Sequence, residues 1–121
     1  MVKYFFDSYA IIELIKGNFA YAKYSEEVVV LTLFNLVEIY WSFVHDFGEE
    51  KANDLYRHFR ECVVPVNDAV VQEAVLFRKA NKKKNLSYAD CIGYIYAYKN
   101  DLLFLTGDKE FQGLENVEFV K

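Results

Sequence analysis

The sequence has 121 residues, 54% of them hydrophobic, which suits one domain with a core of its own, so 1–121 is read as a single unit. Its net charge of −4 offers no broad basic face to a nucleic acid, although setting four acids aside for a cation leaves 14 acidic residues against 14 basic ones. No apolar run approaches the roughly 18 residues of a membrane span, and Cys62, Cys91, His45 and His58 lack the spacing of a redox or zinc motif.

In chain order, Val2 to Phe6 is short, apolar and aromatic, as a buried strand should be, and stops at Asp7. The stretch is too short for a signal-peptide core, so a reducing, cytoplasmic setting is expected. Ser8 to Lys16 places Ile11, Ile12 and Ile15 at helical spacing and ends at Gly17-Asn18, a helix stop. A less regular helical piece follows over Phe19 to Tyr24. Glu27 to Leu31 carries the β-branched run Val28-Val29-Val30 and reads as a strand covered on both faces. Thr32 is an N-cap for a long helix from Leu33 to Phe47, closed by Gly48.

Ala52, Leu55, Tyr56 and Phe59 mark an amphipathic helix. Cys62 to Val66 holds the chain's single proline and is expected as an edge strand. Asn67 or Asp68 caps a helix that runs towards Lys82-Lys83-Lys84, and Ser87 caps another from Tyr88 to Lys99. Leu102 to Leu105 is a strand, Asp108 to Gln112 one helical turn, and Val117 to Val120 a last strand. Alternating strands and helices without a linker predict a three-layer α/β/α fold around a mainly parallel sheet of about five strands. In such sheets ligands bind at the carboxyl ends of the strands, where Asp7 and Asp108 fall.

Four acids stand out, each with a structural alternative. Asp7 and Asp108 follow strands and precede helical turns, so either could be a plain N-cap. Asp90 stands three residues after Ser87, the spacing of a capping box. The helix it enters is apolar nearly all round, however, and so is expected to be buried. Gly93 on that helix points to close packing against a neighbour. Glu38 shares one stripe with Asn35, Ser42 and His45, which either faces solvent or lines a cleft. Buried carboxylates repel unless a cation neutralises them. An all-oxygen set suits Mg²⁺ or Mn²⁺, which activates water and screens a phosphodiester. No glycine-rich phosphate loop is present.

In order and context these acids resemble the PIN-domain nucleases, and among them the toxin ribonucleases of VapBC toxin–antitoxin pairs. The resemblance rests on Phe6-Asp7-Ser8, on Glu38 in the helix after Thr32, on Leu86-Ser87-Tyr88-Ala89-Asp90, and on Leu105-Thr106-Gly107-Asp108-Lys109-Glu110-Phe111. It implies a metal-dependent endoribonuclease, often a homodimer, held inactive by a VapB-like antitoxin. Asp7, Glu38, Asp90 and Asp108 would be catalytic metal ligands, with Ser8 and Thr106 supporting them by hydrogen bonds. Glu110 stands where the family often has a second Asp, and Tyr9 replaces a usually smaller residue. Lys109, and less directly Lys83 and Lys84, are the candidate contacts to RNA phosphates. The alternatives are a non-catalytic PIN-like interaction subunit and a receiver-like signalling domain phosphorylated at Asp68.

Overall fold

The structure is a computed structural model that describes residues 2–121. Three strands, β1 (Tyr4–Phe6), β2 (Leu103–Thr106) and β3 (Val117–Phe119), form a parallel sheet with β2 in the middle. Five α-helices surround it among the described residues: α1 (Ser8–Lys16), α2 (Leu33–Phe47), α3 (Glu49–Arg60), α4 (Asp68–Ala80) and α5 (Tyr88–Lys99). Two 3₁₀ segments, Phe19–Tyr24 and Lys109–Phe111, complete the set.

The alternation of a strand's side chains divides the interior into two cores. Phe5 and Phe104 point to one face, where they pack with Val70 and Ala74 of α4 and Cys91, Ile92, Tyr94 and Ala97 of α5. Phe6 and Leu105, one residue further along each strand, point to the other. There they meet Ala10 and Ile11 of α1, Leu36, Ile39 and Phe43 of α2, and Ala52 and Phe59 of α3. The three-layer arrangement follows from this split.

The expected sheet of about five strands is corrected to three. Glu27–Leu31 and Cys62–Val66 cross the molecule beside β1 without forming ladders. The Phe6 amide donates to the Val30 carbonyl (2.9 Å), the Val64 amide donates to the Leu31 carbonyl (2.9 Å), and Leu31 and Val63 form an isolated parallel bridge. Pairing stops there for local reasons. Thr32 already caps α2, so Leu31 is the last extended residue of its segment, and Pro65 has no amide hydrogen to continue the other.

These contacts nevertheless locate the point where chain order reverses. Phe6 faces Val30 on one side of β1, whereas the Asp7 amide donates to the Leu105 carbonyl of β2 on the other (3.2 Å). The chain leaves β1 towards the Val30 side and returns to β2 only after α5. A crevice at the carboxyl ends of β1 and β2 is therefore the expected place for a ligand.

The helix ends are set by short-range chemistry. Asn67, rather than Asp68, caps α4, its side chain accepting from the Val70 amide (2.9 Å). Gly17 closes α1 in the left-handed conformation (φ 81°), and α4 stops at Ala80, before the lysine run. Gly93 lets α5 approach the sheet: a Cβ there would lie 2.6 Å from the Phe5 ring.

Candidate active site

Asp7 follows β1 directly and is 1% exposed. It is the N-cap of α1, its Oδ1 accepting from the Ala10 amide at 2.8 Å. The Thr106 hydroxyl also bonds its carboxyl group. The same Thr106 oxygen, at the end of β2, accepts from the Asp108 amide (3.0 Å). One buried hydroxyl thus ties the two strand-end acids together, and Asp108 in turn caps the following 3₁₀ turn through the Glu110 amide (3.0 Å).

The helices bring the other two acids from opposite faces of the sheet. Asp90 closes a capping box on α5: its Oδ2 accepts from the Ser87 amide (2.9 Å), and its own amide donates to Ser87 Oγ (3.0 Å). Glu38 is half-buried on α2 and accepts from Ser8 Oγ at 2.6 Å. Ser8 in turn accepts from Asn35 Nδ2 (3.3 Å), and Asn35 is fully buried. The polar stripe of α2 is therefore divided: Asn35 and Glu38 turn inward, while His45 is exposed.

Burial and mutual repulsion make these four a single electrostatic group. Loss of water pushes Asp7 from 3.8 up to about 8, against the hydrogen bonds from Thr106 and Ala10, and Asp90 and Asp108 raise it further. Desolvation likewise lifts Asp90 to about 6, with Glu38 and Asp108 adding to the rise. Asp90 is thus coupled to all three of the others. Among the described residues, no three Asp, Glu, His or Cys side chains stand together as a ready-made metal cage. The donor chemistry still fits a hard cation, because Mg²⁺ keeps several waters and is commonly held by only one or two carboxylates plus substrate phosphate.

The remaining residues singled out in the sequence are placed as follows. Glu110 turns away from the acids, its side chain accepting from the Asn85 amide (3.3 Å). Lys84 Nζ donates to the Glu110 carbonyl (2.9 Å), which ties the lysine run to the turn carrying Asp108. Lys82, Lys83 and Lys109 are exposed. Asp68 is exposed on the first turn of α4. Tyr94 is buried and donates to the Glu115 carbonyl (2.8 Å), whereas Tyr98 is exposed.

Two contributors were named in the sequence without a role of their own. Asn35 joins Ser8 to the start of α2, accepting from the Thr32 amide (3.1 Å) and hydroxyl (2.7 Å). The Thr32-x-x-Asn35 spacing, a capping box, was the available signal. Gly107 is the second: a Cβ there would meet the Tyr9 ring at 2.2 Å, the Val120 carbonyl oxygen at 2.5 Å and the Tyr21 hydroxyl at 2.8 Å.

No family model matches the sequence, and no curated protein matches it. Solved structures do. The chain superposes on VapC20 of Mycobacterium tuberculosis, described as a sarcin-ricin-loop-cleaving toxin, with a TM-score of 0.75 and 17% identity, over 96% of this chain and 99% of that one. A toxin–antitoxin complex from Klebsiella pneumoniae matches with a TM-score of 0.73 and 18% identity, over 96% of each chain. DNA-bound VapBC from Salmonella typhimurium matches with a TM-score of 0.71 and 15% identity, over 98% of this chain and 97% of that one. The α/β fold is similar to that of VapC PIN domains along nearly the whole chain.

Proposed function

We propose that this chain is a metal-dependent endoribonuclease that hydrolyses RNA phosphodiester bonds and serves as the toxin of a toxin–antitoxin pair. The observation that carries this reading is the coupled group of Asp7, Glu38, Asp90 and Asp108 at the reversal point of the sheet. Asp7, buried and driven to about 8, and Asp90, raised to about 6, are each repelled by others of the four acids, and bound positive charge would relieve both. The likeness in fold to toxins and toxin–antitoxin complexes supports the same conclusion.

Asp7, Asp90, Asp108 and Glu38 would hold Mg²⁺ or Mn²⁺, directly or through water. When bound, such an ion lowers the pKa of a coordinated water and offsets charge on a phosphodiester. The chain's own residues arrange the ligands. Thr106 fixes Asp7 and Asp108 relative to each other, and Ser8, held by Asn35, orients Glu38. The capping box aims Asp90 from the start of a rigid helix packed on the sheet. Lys109, next to Asp108, would meet an RNA phosphate, with Lys83 and Lys84 as further candidates. A VapB-like antitoxin as partner, a homodimer and a cytoplasmic setting belong to this proposal. No helix among the described residues is long and apolar enough to cross a membrane.

The direct test is cleavage of an end-labelled structured RNA in Mn²⁺, Mg²⁺ and EDTA. Cleavage that needs the metal and falls by at least about 100-fold in Asp7→Asn is expected. Cleavage that is equal in EDTA or in the variant would overturn the proposal, and a protein with no RNA cleavage would return the reading to a non-catalytic subunit.

A further inference from the structure

A cleft of about 550 Å³ opens beside Asp108, where β2 and β3 end. Tyr9, Gly107, Lys109, Gln112, Phe119 and Lys121 line it together with Asp108. Its position follows from the register: Thr106 and Phe119 are cross-strand partners, and the Val120 amide donates to the Thr106 carbonyl (2.8 Å). The cleft therefore begins where the acid group ends.

The character of the lining differs from that of the surface as a whole. In a chain of net charge −4, it brings the ammonium groups of Lys109 and Lys121 together with the rings of Tyr9 and Phe119 beside Asp108. Tyr9 remains 37% exposed although its ring edge abuts Gly107, and behind it lies Tyr21, with ring centroids 6.5 Å apart. The Tyr21 hydroxyl donates to the Val120 carbonyl and so fixes that wall. Gly107 is the one residue type that allows this, since any Cβ would collide with ring, hydroxyl and carbonyl at once. A supported aromatic ring with cations around it is how proteins hold single-stranded nucleic acid: bases stack on the ring and phosphates meet lysines.

We infer that this cleft is a nucleotide subsite, in which the base next to the scissile phosphate stacks on the Tyr9 ring while Lys109 and Lys121 hold phosphates of the same single strand. The inference rests on the ribonuclease reading for the position of the scissile phosphate, and it gives that reading a substrate feature: an unpaired nucleotide at the cut. A duplex keeps its bases stacked on each other and offers none to the ring, so an unpaired strand is preferred.

The test is fluorescence anisotropy with a fluorescein-labelled mixed-sequence octaribonucleotide, in the Asp7→Asn background so that binding is read without turnover. Adding Tyr9→Ala should weaken binding roughly 5- to 150-fold, the range for loss of one base–aromatic stack. Tyr9→Phe, which keeps the ring face, should restore it. Lys109→Gln should reduce the salt slope of log Kd by about 0.7, the value for one phosphate contact on a single strand. Melting curves of each variant show whether the fold is retained. If folded Tyr9→Ala and Lys109→Gln both bind as the parent does while the wild-type chain cleaves RNA, the subsite is wrong and the nuclease stands. If the ring governs binding yet the wild-type chain cleaves nothing, the subsite stands and the nuclease falls. Competition by an octaglutamate peptide as strong as by unlabelled RNA would show that charge alone is read, and would overturn the subsite.

Discussion

Asp7 carries two roles that pull against each other. As the N-cap of α1 it favours the folded state, yet as a buried carboxylate beside Asp90 and Asp108 it opposes folding whenever it is ionised. Its folded value of about 8 exceeds the ordinary 3.8, so the folded state holds a proton that the unfolded chain releases. The stability this confers is fully present below about pH 4, falls as pH rises, and is gone above about pH 8. Asp90 adds a second loss, complete near pH 6. In EDTA the melting temperature should therefore drop steadily between pH 5 and pH 8.5. Asn keeps the capping oxygen and removes the charge, so Asp7→Asn should flatten the drop and melt higher than wild type at pH 8.5. Mn²⁺ should restore the wild-type protein and leave the variant nearly unmoved. Calorimetric scans at both pH values check this; a variant that melts lower in EDTA at pH 8.5 would show that the charge's attraction to the helix N-terminus outweighs the repulsion.

At the scale of the element, α5 matters most, because it delivers Asp90 and does so by lying close to the sheet. Gly93 makes the approach possible, and two opposing effects decide what Gly93→Ala would do. Ala is favoured over Gly in a helix interior by about 1 kcal/mol. Against that, its Cβ would stand 2.6 and 2.9 Å from atoms of the Phe5 ring, which is fully buried and stacked on Phe104 with centroids 5.8 Å apart. The ring has no free direction in which to yield, and overpacking of this kind costs roughly 1–3 kcal/mol. A net loss of up to about 2 kcal/mol is expected, read from urea denaturation, with a larger loss for Gly93→Val. Nuclease activity should fall more than stability alone explains, since moving α5 moves Asp90. A Gly93→Ala protein more stable than wild type would mean that the helix sits further from the sheet than 2.6 Å implies.

For the molecule as a whole, the proposed role has a consequence in the cell. Induced expression in a bacterial host should slow growth, and Asp7→Asn should relieve the slowing at equal protein level. Growth curves with matched immunoblots check this, and equal slowing by both forms would place the harm in overexpression rather than in RNA cleavage. The net charge of −4 does not oppose this role, because the proposed cation would offset the four coupled acids and the remaining 14 acidic and 14 basic residues balance.

What the sequence alone determined is what short-range chemistry controls. The helices and the three paired strands, the caps at Thr32 and Ser87, the stops at Gly17 and Gly48, and the close packing at Gly93 were legible, because each depends on residues within a turn or on one residue's shape. The four acids were legible as types after strands and on apolar helices. That they act as one set was implied by the family resemblance and not by their spacing, since the coupling among Asp7, Glu38, Asp90 and Asp108 depends on the order in which distant strands pair. The same non-locality explains the two missing strands. Glu27–Leu31 and Cys62–Val66 have β-like composition, but a ladder needs a partner with free amides, and between the Thr32 cap and Pro65 only a bridge remains. Tertiary structure alone decided that Asn35 and Glu38 turn inward while His45 stays in water, and that Lys84 is held by the Glu110 carbonyl. It alone also set Tyr9 against Gly107, because burial is a property of what packs on a residue and not of the residue itself.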